Sequence, residues 1–428
     1  MSESVTDQVE GDEPIVQLPL LSAPRVDQVI LVETEEALAD AVFTLSQSTG
    51  PFAVDAERAS GFKYSQRAYL IQIHRSGTPI YLIDPAAISP DASPKPFESL
   101  AAVMATDEWI LHAASQDIPC LRELGINPVT VFDTELGSRI GGLPRVGLGA
   151  VTEHLLGLKL AKEHSAVDWS IRPLKEDWLN YAALDVDVLI ELRSELHKHL
   201  IAESKLDWAT AEFAHVVNAP PKPPKVDRWR GMTGLHEVKD SKSLSVAESL
   251  WLHREELAIK LDVSPGRLIP DYSIVAVSKT TPKTKPELAG SKSFAGRASR
   301  SYLDLWWRAI EAGLKNLNPP PVRLPQTGIP NHRIWANRFP EADARLKSAR
   351  LVIAALSEKH SLPAENILTP DFLRQIAWEP PVELTASAVA DALAASGARA
   401  WQIELLAELL AEALANPIEV TTPETDLT

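Results

Sequence analysis

Cysteine is almost absent from this sequence of 428 residues, since Cys120 is its single thiol and no internal disulfide can form. We expect such a chain to fold in a reducing compartment, the cytoplasm. The thiol is either catalytic or a small packing group, and its place on the apolar side of a predicted helix favours packing. The 11 histidines show no His-x-x-x-His pattern and no cysteine cluster nearby, so the sequence predicts no zinc site.

Long apolar runs are absent as well. No stretch of about 18 apolar residues occurs, so the sequence predicts no membrane-spanning helix. Residues 1–13 are acidic and polar and lack a basic segment followed by an apolar core. We therefore expect no secretory signal at this end of the sequence.

Positive charge is scarce, because 42 Lys and Arg residues face 58 Asp and Glu residues and the net charge is −16. Residues 222–315 reverse the balance, with 17 basic against 11 acidic residues. A local basic patch can attract phosphate while acidic surfaces elsewhere keep a protein soluble. The alternative for this segment is a solvated loop. The candidate nucleic-acid-binding residues are Lys279, Lys283, Lys285, Lys292, Arg297 and Arg300.

Acidic residues recur at spacings that suit metal binding. Asp55 and Glu57 end an apolar strand and project from the same side of it, because side chains alternate along a strand. Tyr181 and Asp185 lie four apart in a predicted helix and so share one face. Asp117 follows a short buried strand near the start of a helix. Carboxylate sets suit Mg²⁺, and two such ions roughly 4 Å apart can drive an in-line phosphoryl displacement.

Each of these pairs occurs often by chance in an acidic chain, so the surrounding sequence carries the specificity. That sequence consists of residues 54–58, 69–73, 111–117, 131–134, 168–174 and 181–186. It resembles the DEDD exonuclease superfamily and, within it, the tyrosine branch to which the ribonuclease D family belongs. The resemblance covers roughly residues 25–210. It implies an α/β domain with a ribonuclease H-like mixed sheet and 3′-to-5′ exonuclease activity with two divalent metal ions, Mg²⁺ or Mn²⁺.

The same resemblance implies a role for each of the five site residues. Asp55, Glu57 and Asp185 bind the first metal ion, and Asp55 also bridges to the second. Asp117 holds the second ion through water. Tyr181 orients the attacking water.

The tyrosine branch follows from one position. The other branch of the superfamily places a histidine five residues before the last aspartate, where this chain has Asn180. Asp187 is a rival to Asp185, but it lacks a tyrosine four residues upstream and points to a different helix face. The motif set is complete, so we expect an active enzyme rather than an inactivated homologue.

Local patterns predict strands at 29–32, 52–57, 69–74 and 80–83 and a helix at 34–46. Residues 75–79 form a hairpin signature between the last two strands. Helices dominate after residue 115. Paired strands followed by helices predict a mixed sheet covered by helices.

Two proline-rich breaks divide the rest of the chain. Residues 257–271 resemble the helical domain shared by helicases and ribonuclease D C-termini, which implies an accessory nucleic-acid-binding module. Residues 362–371 echo residues 263–271 and predict a diverged second copy, which lacks the basic loop. The predicted organisation is a disordered acidic N-terminus 1–24, an exonuclease domain 25–215, a linker 216–240, a helical domain 241–317, a linker 318–334, a second helical domain 335–415 and a disordered tail 416–428.

Trp251, Trp306 and Trp307 lie among basic residues and have two interpretations. Aromatic rings in such a setting can stack on bases. At helical spacing they are more often part of a core, which is the interpretation we favour.

These features predict a monomeric exoribonuclease that acts on single-stranded 3′ ends and releases nucleoside 5′-monophosphates. The family resemblance implies structured RNA, such as transfer RNA precursors, as the substrate. A DNA-acting repair or proofreading exonuclease is the first alternative, because no motif encodes contacts to the 2′-hydroxyl. A non-catalytic nucleic-acid-binding scaffold is the second, and the complete carboxylate set opposes it, since clustered acids repel phosphate unless metal ions neutralise them.

Overall fold

The strands of the first half of the chain pair into one mixed sheet and a separate two-stranded ribbon. The computed structural model describes residues 18–161, 167–221, 223, 225–325 and 328–418. Its strands are β1 (Leu20–Leu21), β2 (Val29–Val32), β3 (Phe52–Arg58), β4 (Ala68–Arg75), β5 (Ile80–Ile83), β6 (Trp109–Leu111), β7 (Val131–Asp133) and β8 (Lys159–Leu160). The four strands that the sequence predicts are all present.

The main sheet has the strand order β2-β5-β4-β3-β6-β7. β4 runs antiparallel to both β3 and β5, whereas the β2–β5, β3–β6 and β6–β7 pairs are parallel. The β4–β5 hairpin confirms the prediction from residues 75–79. Its turn uses Gly77 at φ 75°, a conformation that costs glycine little.

Nine helices follow or connect these strands within the described part of the exonuclease domain. α1 begins after Thr34, whose side-chain oxygen accepts a hydrogen bond from the backbone N–H of Ala37, as expected of an N-cap. The helices are α1 (Glu35–Gln47), α2 (Pro85–Ile88), α3 (Glu98–Met104), α4 (Ala114–Glu123), α5 (Thr134–Gly141), α6 (Leu148–Leu156), α7 (Glu176–Asp187), α8 (Leu189–Ala202) and α9 (Leu206–Asn218).

Successive residues of β3 face two different cores. Val54 and Ala56 pack into the core that the sheet shares with α1, α3 and α4. Ala53 packs into the core on the other face, which includes α7 and α8. Because side chains alternate along a strand, Asp55 and Glu57 lie on the α7 side. The fold thereby brings the two acidic motifs of the sequence to one face of the sheet.

Two all-helical units follow the exonuclease domain, so the predicted fold class is confirmed. The first contains α10 (Ser241–Leu261), α11 (Pro265–Leu268), α12 (Asp271–Thr280), α13 (Lys285–Gly290), α14 (Arg297–Ser301) and α15 (Leu303–Lys315). The second contains α16 (Trp335–Arg338), α17 (Pro340–His360), α18 (Ala364–Ile367), α19 (Pro370–Trp378), α20 (Ala386–Ser396) and α21 (Ala400–Ala415). None of the helices in the described residues is both long and apolar enough to cross a membrane.

The two units share an order of helices. Each has a helix of 21 residues, then one of four residues, then one of nine or ten residues. The duplication itself stays a prediction. In the first unit Trp306 is fully buried, and Trp251 and Trp307 are partly buried against the same core, as the core interpretation predicts.

The first helical unit docks on the loop that follows β3. The carboxylate of Asp262, just after α10, accepts hydrogen bonds from the backbone N–H of Ser65 at 2.8 Å and from the hydroxyl of Tyr69 at 3.2 Å. Arg267 donates from Nε to the carbonyl of Gly61 at 2.9 Å. The unit therefore lies beside the strand that carries Asp55 and Glu57.

The second helical unit packs on α9 and shares a core with the exonuclease domain. The buried Glu212 on α9 accepts two hydrogen bonds from Arg399, at 2.5 and 2.8 Å, and one from the indole N–H of Trp401 at 2.9 Å. The ring of Trp208 stacks on that of Trp401 with centroids 4.8 Å apart. These contacts cross almost half of the sequence.

The predicted disordered terminus 1–24 is wrong at its C-terminal end. Leu20–Leu21 pairs in parallel with Lys159–Leu160 as the two-stranded ribbon, because the apolar dipeptide finds a strand partner that the local sequence does not reveal. Residues 1–17 lie outside the described residues, as do residues 419–428 of the predicted tail 416–428.

The predicted linker 216–240 is also too long. Trp229 and Leu235 are buried in the core of the first helical unit, within short 3₁₀ turns. Apolar side chains in this segment add to that core, so the packed unit starts before residue 241. Prolines at the start of the segment hid this from the sequence pattern.

Candidate active site

The end of β3 presents two acids toward α7. Asp55 and Glu57 are half-buried on the face opposite Val54 and Ala56. The β3–β4 pairing shifts register between Glu57 and the next residue, which ends the regular strand at this point. β3 therefore ends with its two carboxylates at the margin of the sheet, where a substrate can reach them.

α7 supplies the facing groups. Tyr181 and Asp185 are one helical turn apart, while Ala182 and Ala183 are buried against the sheet. One carboxylate oxygen each from Asp55, Glu57 and Asp185 lie within 4.8 Å of one another. This is an all-oxygen donor set, which fits a hard divalent cation.

The turn between β6 and α4 brings in the fourth acid. Ala113 has the left-handed conformation at φ 65°, an uncommon choice for a residue with a side chain. The buried carboxylate of Asp133 accepts hydrogen bonds from the N–H groups of Ala113 at 3.1 Å and Ala114 at 2.9 Å, and from two N–H groups at the start of α5. This clamp fixes the turn and places Asp117 on the first turn of α4.

All five predicted site residues line one cavity of about 540 Å³. Its other walls are contributed by the ends of β3 and β6 and by α4 to α8. The lining residues are Asp55, Ala56, Glu57, Arg58, Ser60, His112, Ala113, Gln116, Asp117, Glu135, Gly147, Leu148, Val167, Tyr181, Asp185 and Leu189.

Burial raises the pKa of every carboxyl group in the cluster. Desolvation raises the pKa of Asp55 to about 6. Desolvation, followed by the charge of Asp55, raises the pKa of Asp117 to about 9. Both causes also hold the pKa values of Glu57 and Asp185 well above their usual range. Four acids this close together favour a bound cation, because only added positive charge lets all of them ionise together.

The phenol of Tyr181 stays protonated at neutral pH. Desolvation and then the charge of Asp185 raise its pKa above the ordinary value. A hydrogen bond joins the two side chains, and it lowers the pKa of Asp185 as a donor to that carboxylate does. Tyr181 is thus a hydrogen-bond donor in the cavity and not a base.

Asn180 and Asp187, on which the alternative assignments of the site depend, lie outside the cavity. Asn180 donates its amide N–H to the carbonyl of Ser22 at 2.8 Å. Asp187 accepts hydrogen bonds from the backbone and guanidinium of Arg25, at 3.1 and 2.8 Å. Neither side chain lines the cavity.

The predicted basic patch is divided in the structure. Lys279 pairs with Glu237 at 2.6 Å, and Lys285 pairs with Asp304, so carboxylates offset two of the six charges. Arg297 instead lines a cleft of about 580 Å³ in the first helical unit. The acidic partners Glu237 and Asp304 lie far from these lysines in the sequence, so the local count of charges did not predict the pairs.

Several lining residues were not predicted as site residues from the sequence, and four of them are polar: Ser60, His112, Gln116 and Glu135. His112 and Gln116 belong to the matched segment 111–117, so their shared motif was an available signal. Ser60 and Glu135 follow acidic motif residues by two or three positions and give no separate signal.

Three family models match the three domains of the chain in order. Residues 29–201 match a family model described as 3′-5′ exonuclease, residues 243–310 match the HRDC domain, and residues 328–414 match the 3′ to 5′ exonuclease C-terminal domain. The strand order and carboxylate cavity, together with these matches, define a DEDD-type 3′-5′ exonuclease that uses divalent metal.

Similar proteins narrow the class. Ribonuclease D of Gluconacetobacter diazotrophicus is 26% identical over 367 residues, which cover 83% of this chain and 88% of that protein. Ribonuclease D of a Shewanella species is 26% identical over 341 residues, 78% of this chain and 82% of that protein. The chain is therefore similar over most of its length to proteins named ribonuclease D.

Solved structures show the same fold. A protein from Bifidobacterium adolescentis is 35% identical, with a TM-score of 0.84, and the match covers 94% of this chain and 100% of that one. Escherichia coli RNase D is 22% identical with a TM-score of 0.64, over 91% of this chain and 100% of that one. The family, the fold class and the enzyme class predicted from the sequence are confirmed.

Proposed function

We propose that this exonuclease trims single-stranded 3′ ends of RNA one nucleotide at a time and releases nucleoside 5′-monophosphates. The observation that supports this most is the convergence of three carboxylates within 4.8 Å in a cavity that a fourth acid and a tyrosine also line. A phosphodiester can enter such a site only after cations neutralise the carboxylates.

The residues divide the work as follows. Asp55, Glu57 and Asp185 would hold one cation, and Asp117 together with Asp55 would hold a second. When bound, two Mg²⁺ or Mn²⁺ ions supply the activation of the attacking water and the charge that stabilises the leaving oxygen. Tyr181 orients the attacking water by hydrogen bonding and does not deprotonate it, since its protonated phenol is a poor base.

Structured RNA with a single-stranded 3′ end is the substrate we propose, with transfer RNA precursors as the main case. The Escherichia coli relative is described as an exoribonuclease involved in structured RNA processing. The first helical unit adjoins the loop after β3 and carries the arginine-lined cleft, so it can bind RNA upstream of the cavity. We further propose a monomer that works in the cytoplasm, where buried Cys120 stays reduced.

A 3′-5′ exonuclease acting on DNA is the second candidate, because the acidic site itself does not choose the sugar. The experiment compares matched single-stranded RNA and DNA, labelled at the 5′ end, with and without Mg²⁺. Stepwise shortening of RNA, faster than of DNA, is the expected result. Fast DNA shortening with little RNA turnover would overturn the RNA assignment.

The metal-site assignment is tested with Asp55→Asn and Asp185→Asn. Each removes a cation ligand, and we expect hydrolysis to be abolished while folding and most RNA binding remain. Asp177→Asn, an exposed acid on the same helix, is the matched control. Near-normal turnover of both site variants in Mg²⁺ would show that the chemistry lies elsewhere.

A covalently closed circular RNA should resist the enzyme, and its rapid cutting would contradict exonuclease action.

A further inference from the structure

His112 lines the active-site cavity but has no role in the chemistry described above. It follows the last residue of β6, and one ring nitrogen, Nδ1, lies 2.9 Å from the hydroxyl oxygen of Thr134. The same hydroxyl lies 3.1 Å from the backbone carbonyl of Leu111. These two contacts determine which nitrogen of the ring carries the proton.

The contacts of the Thr134 hydroxyl fix the position of the proton on the His112 ring. A carbonyl only accepts, so the single hydrogen of the Thr134 hydroxyl serves Leu111. The hydroxyl oxygen then accepts from His112, which places the ring proton on Nδ1 and leaves a lone pair on Nε2. Burial lowers the pKa of His112 to about 4, so the ring is neutral at pH 7. Nε2 has no hydrogen-bond partner among the described residues.

Few groups on a nucleic acid can donate to that lone pair. Phosphate oxygens only accept, so they are repelled. Base N–H groups differ from one nucleotide to the next, whereas an exonuclease that shortens a strand stepwise meets every base. The 2′-hydroxyl of ribose is a donor that each RNA nucleotide carries and that DNA lacks.

We infer that Nε2 of His112 accepts a hydrogen bond from a ribose 2′-hydroxyl at the 3′ end of the substrate. This inference rests on the proposed exonuclease function and adds to it the group that distinguishes RNA from DNA. Thr134 is a positioning residue in this scheme, because it fixes the tautomer of His112 and touches no substrate.

The experiment measures kcat/KM on three matched oligomers: all-ribose RNA, the same RNA with 2′-deoxyribose at the last two nucleotides, and DNA. The preference of the wild-type enzyme for RNA over the deoxy-substituted RNA should contract by about 3- to 10-fold in His112→Ala, the effect of losing one neutral hydrogen bond. Thr134→Val removes the hydroxyl that fixes the tautomer of His112, so it should contract the same ratio. Thr134→Ser keeps a hydroxyl and should keep the wild-type ratio. Ser115→Ala, exposed on the neighbouring turn, is the control.

Equal losses of His112→Ala on all three oligomers would overturn the inference, because the ring would then act on the reaction or on the 3′-hydroxyl. A loss that follows base identity in homopolymers would overturn it as well. Retention of a Mg²⁺-dependent rise in Tm shows that each variant keeps its carboxylate cluster. If the wild-type enzyme released no monophosphates, the proposed function would fail. If the enzyme is active but His112→Ala leaves its preference for RNA over the deoxy-substituted RNA unchanged, only the inference about His112 fails.

Discussion

Individual side chains in the cavity hold conformations and charges that serve chemistry rather than stability. Four acids share a half-buried volume, and burial raises the pKa of each. Natural proteins accept such costs where a site requires them. The cost should be visible when metal ions are removed.

Stability of the metal-free enzyme should fall as pH rises. The folded pKa of Asp117 is about 9, against about 3.9 for an unfolded aspartate. A raised folded pKa gives stability that is complete below about pH 4 and is lost as pH rises toward 9, because the unfolded chain loses its proton first. Tm in EDTA should therefore drop from pH 5 to pH 8, and Asp117→Asn should flatten the profile. A wild-type Tm that rises over this window would contradict the assignment.

Tyr181 tests the branch assignment. Tyr181→Phe keeps the ring and deletes the hydroxyl, so turnover should slow, by up to ~10²–10⁴-fold if the phenol also relays a proton. Metal and RNA affinity should change little, since the phenol binds neither. Single-turnover kinetics and Mg²⁺ titration separate the two effects. Tyr181→Ala should in addition disturb the face of α7 that carries Asp185. Wild-type turnover of Tyr181→Phe together with an inactive Asn180→Ala would reverse the assignment.

Turns between strands and helices position the site more than the strands themselves. The β6–α4 turn is held by one carboxylate at the start of α5, and the β3–β4 loop is held by Asp262 of the first helical unit. Asp133 satisfies four backbone N–H groups, and Asp262 satisfies the backbone N–H of Ser65 and the hydroxyl of Tyr69. Each acid is therefore a position where one substitution changes the site without touching it.

Asp133 offers a graded test. Three of its four hydrogen bonds end on Oδ1, and only the N–H of Ala114 donates to Oδ2. Asp133→Asn keeps Oδ1 and should cost about 1–3 kcal/mol of the free energy of unfolding, the usual cost of one unsatisfied buried group. Asp133→Ala should cost more and lower kcat further, because the turn that carries Asp117 loses both of its bonds to this side chain and the start of α5 loses the other two. Denaturant unfolding and kcat are the measurements; equal costs would show that the carboxylate is not the clamp.

Local sequence predicted most strands of the main sheet and the five residues that line one cavity, because motifs and alternation encode neighbours in space. It did not predict which helices meet across domains. Trp208 and Glu212 read as ordinary positions of an amphipathic helix, and their partners Trp401 and Arg399 lie far along the chain. The same limit hid the strand Leu20–Leu21. Contacts of long range leave no periodic signal.

The three domains differ in how closely they depend on one another. The first helical unit has a core of its own, whereas the second shares a core with the exonuclease domain. Removing the second unit would therefore expose apolar surface on α8 and α9. Truncation experiments must account for this loss before they assign RNA binding to either unit.

Substitution of Glu212 tests how strongly the exonuclease domain and the second helical unit depend on each other. Its side chain is 7% exposed, and that of Arg399 is 16% exposed. Glu212→Ala leaves a buried guanidinium without its partner, and we expect a loss of about 3–5 kcal/mol. Glu195→Ala breaks the exposed Lys198 pair on α8 and should cost about 0–1 kcal/mol. Thermal unfolding compares the two, and similar small shifts in Tm would mean that the domains are independent.

The shared core between α9 and the last helices also sets an order of events during synthesis. Domains generally fold from the N-terminus as they leave the ribosome, but α8 and α9 cannot cover their outer surface until α21 has been made. The catalytic carboxylates are complete by Asp185, long before that moment. A nascent chain therefore carries every catalytic group while its domain is still unfinished, and premature termination anywhere before residue 400 yields a nuclease site on an unstable support.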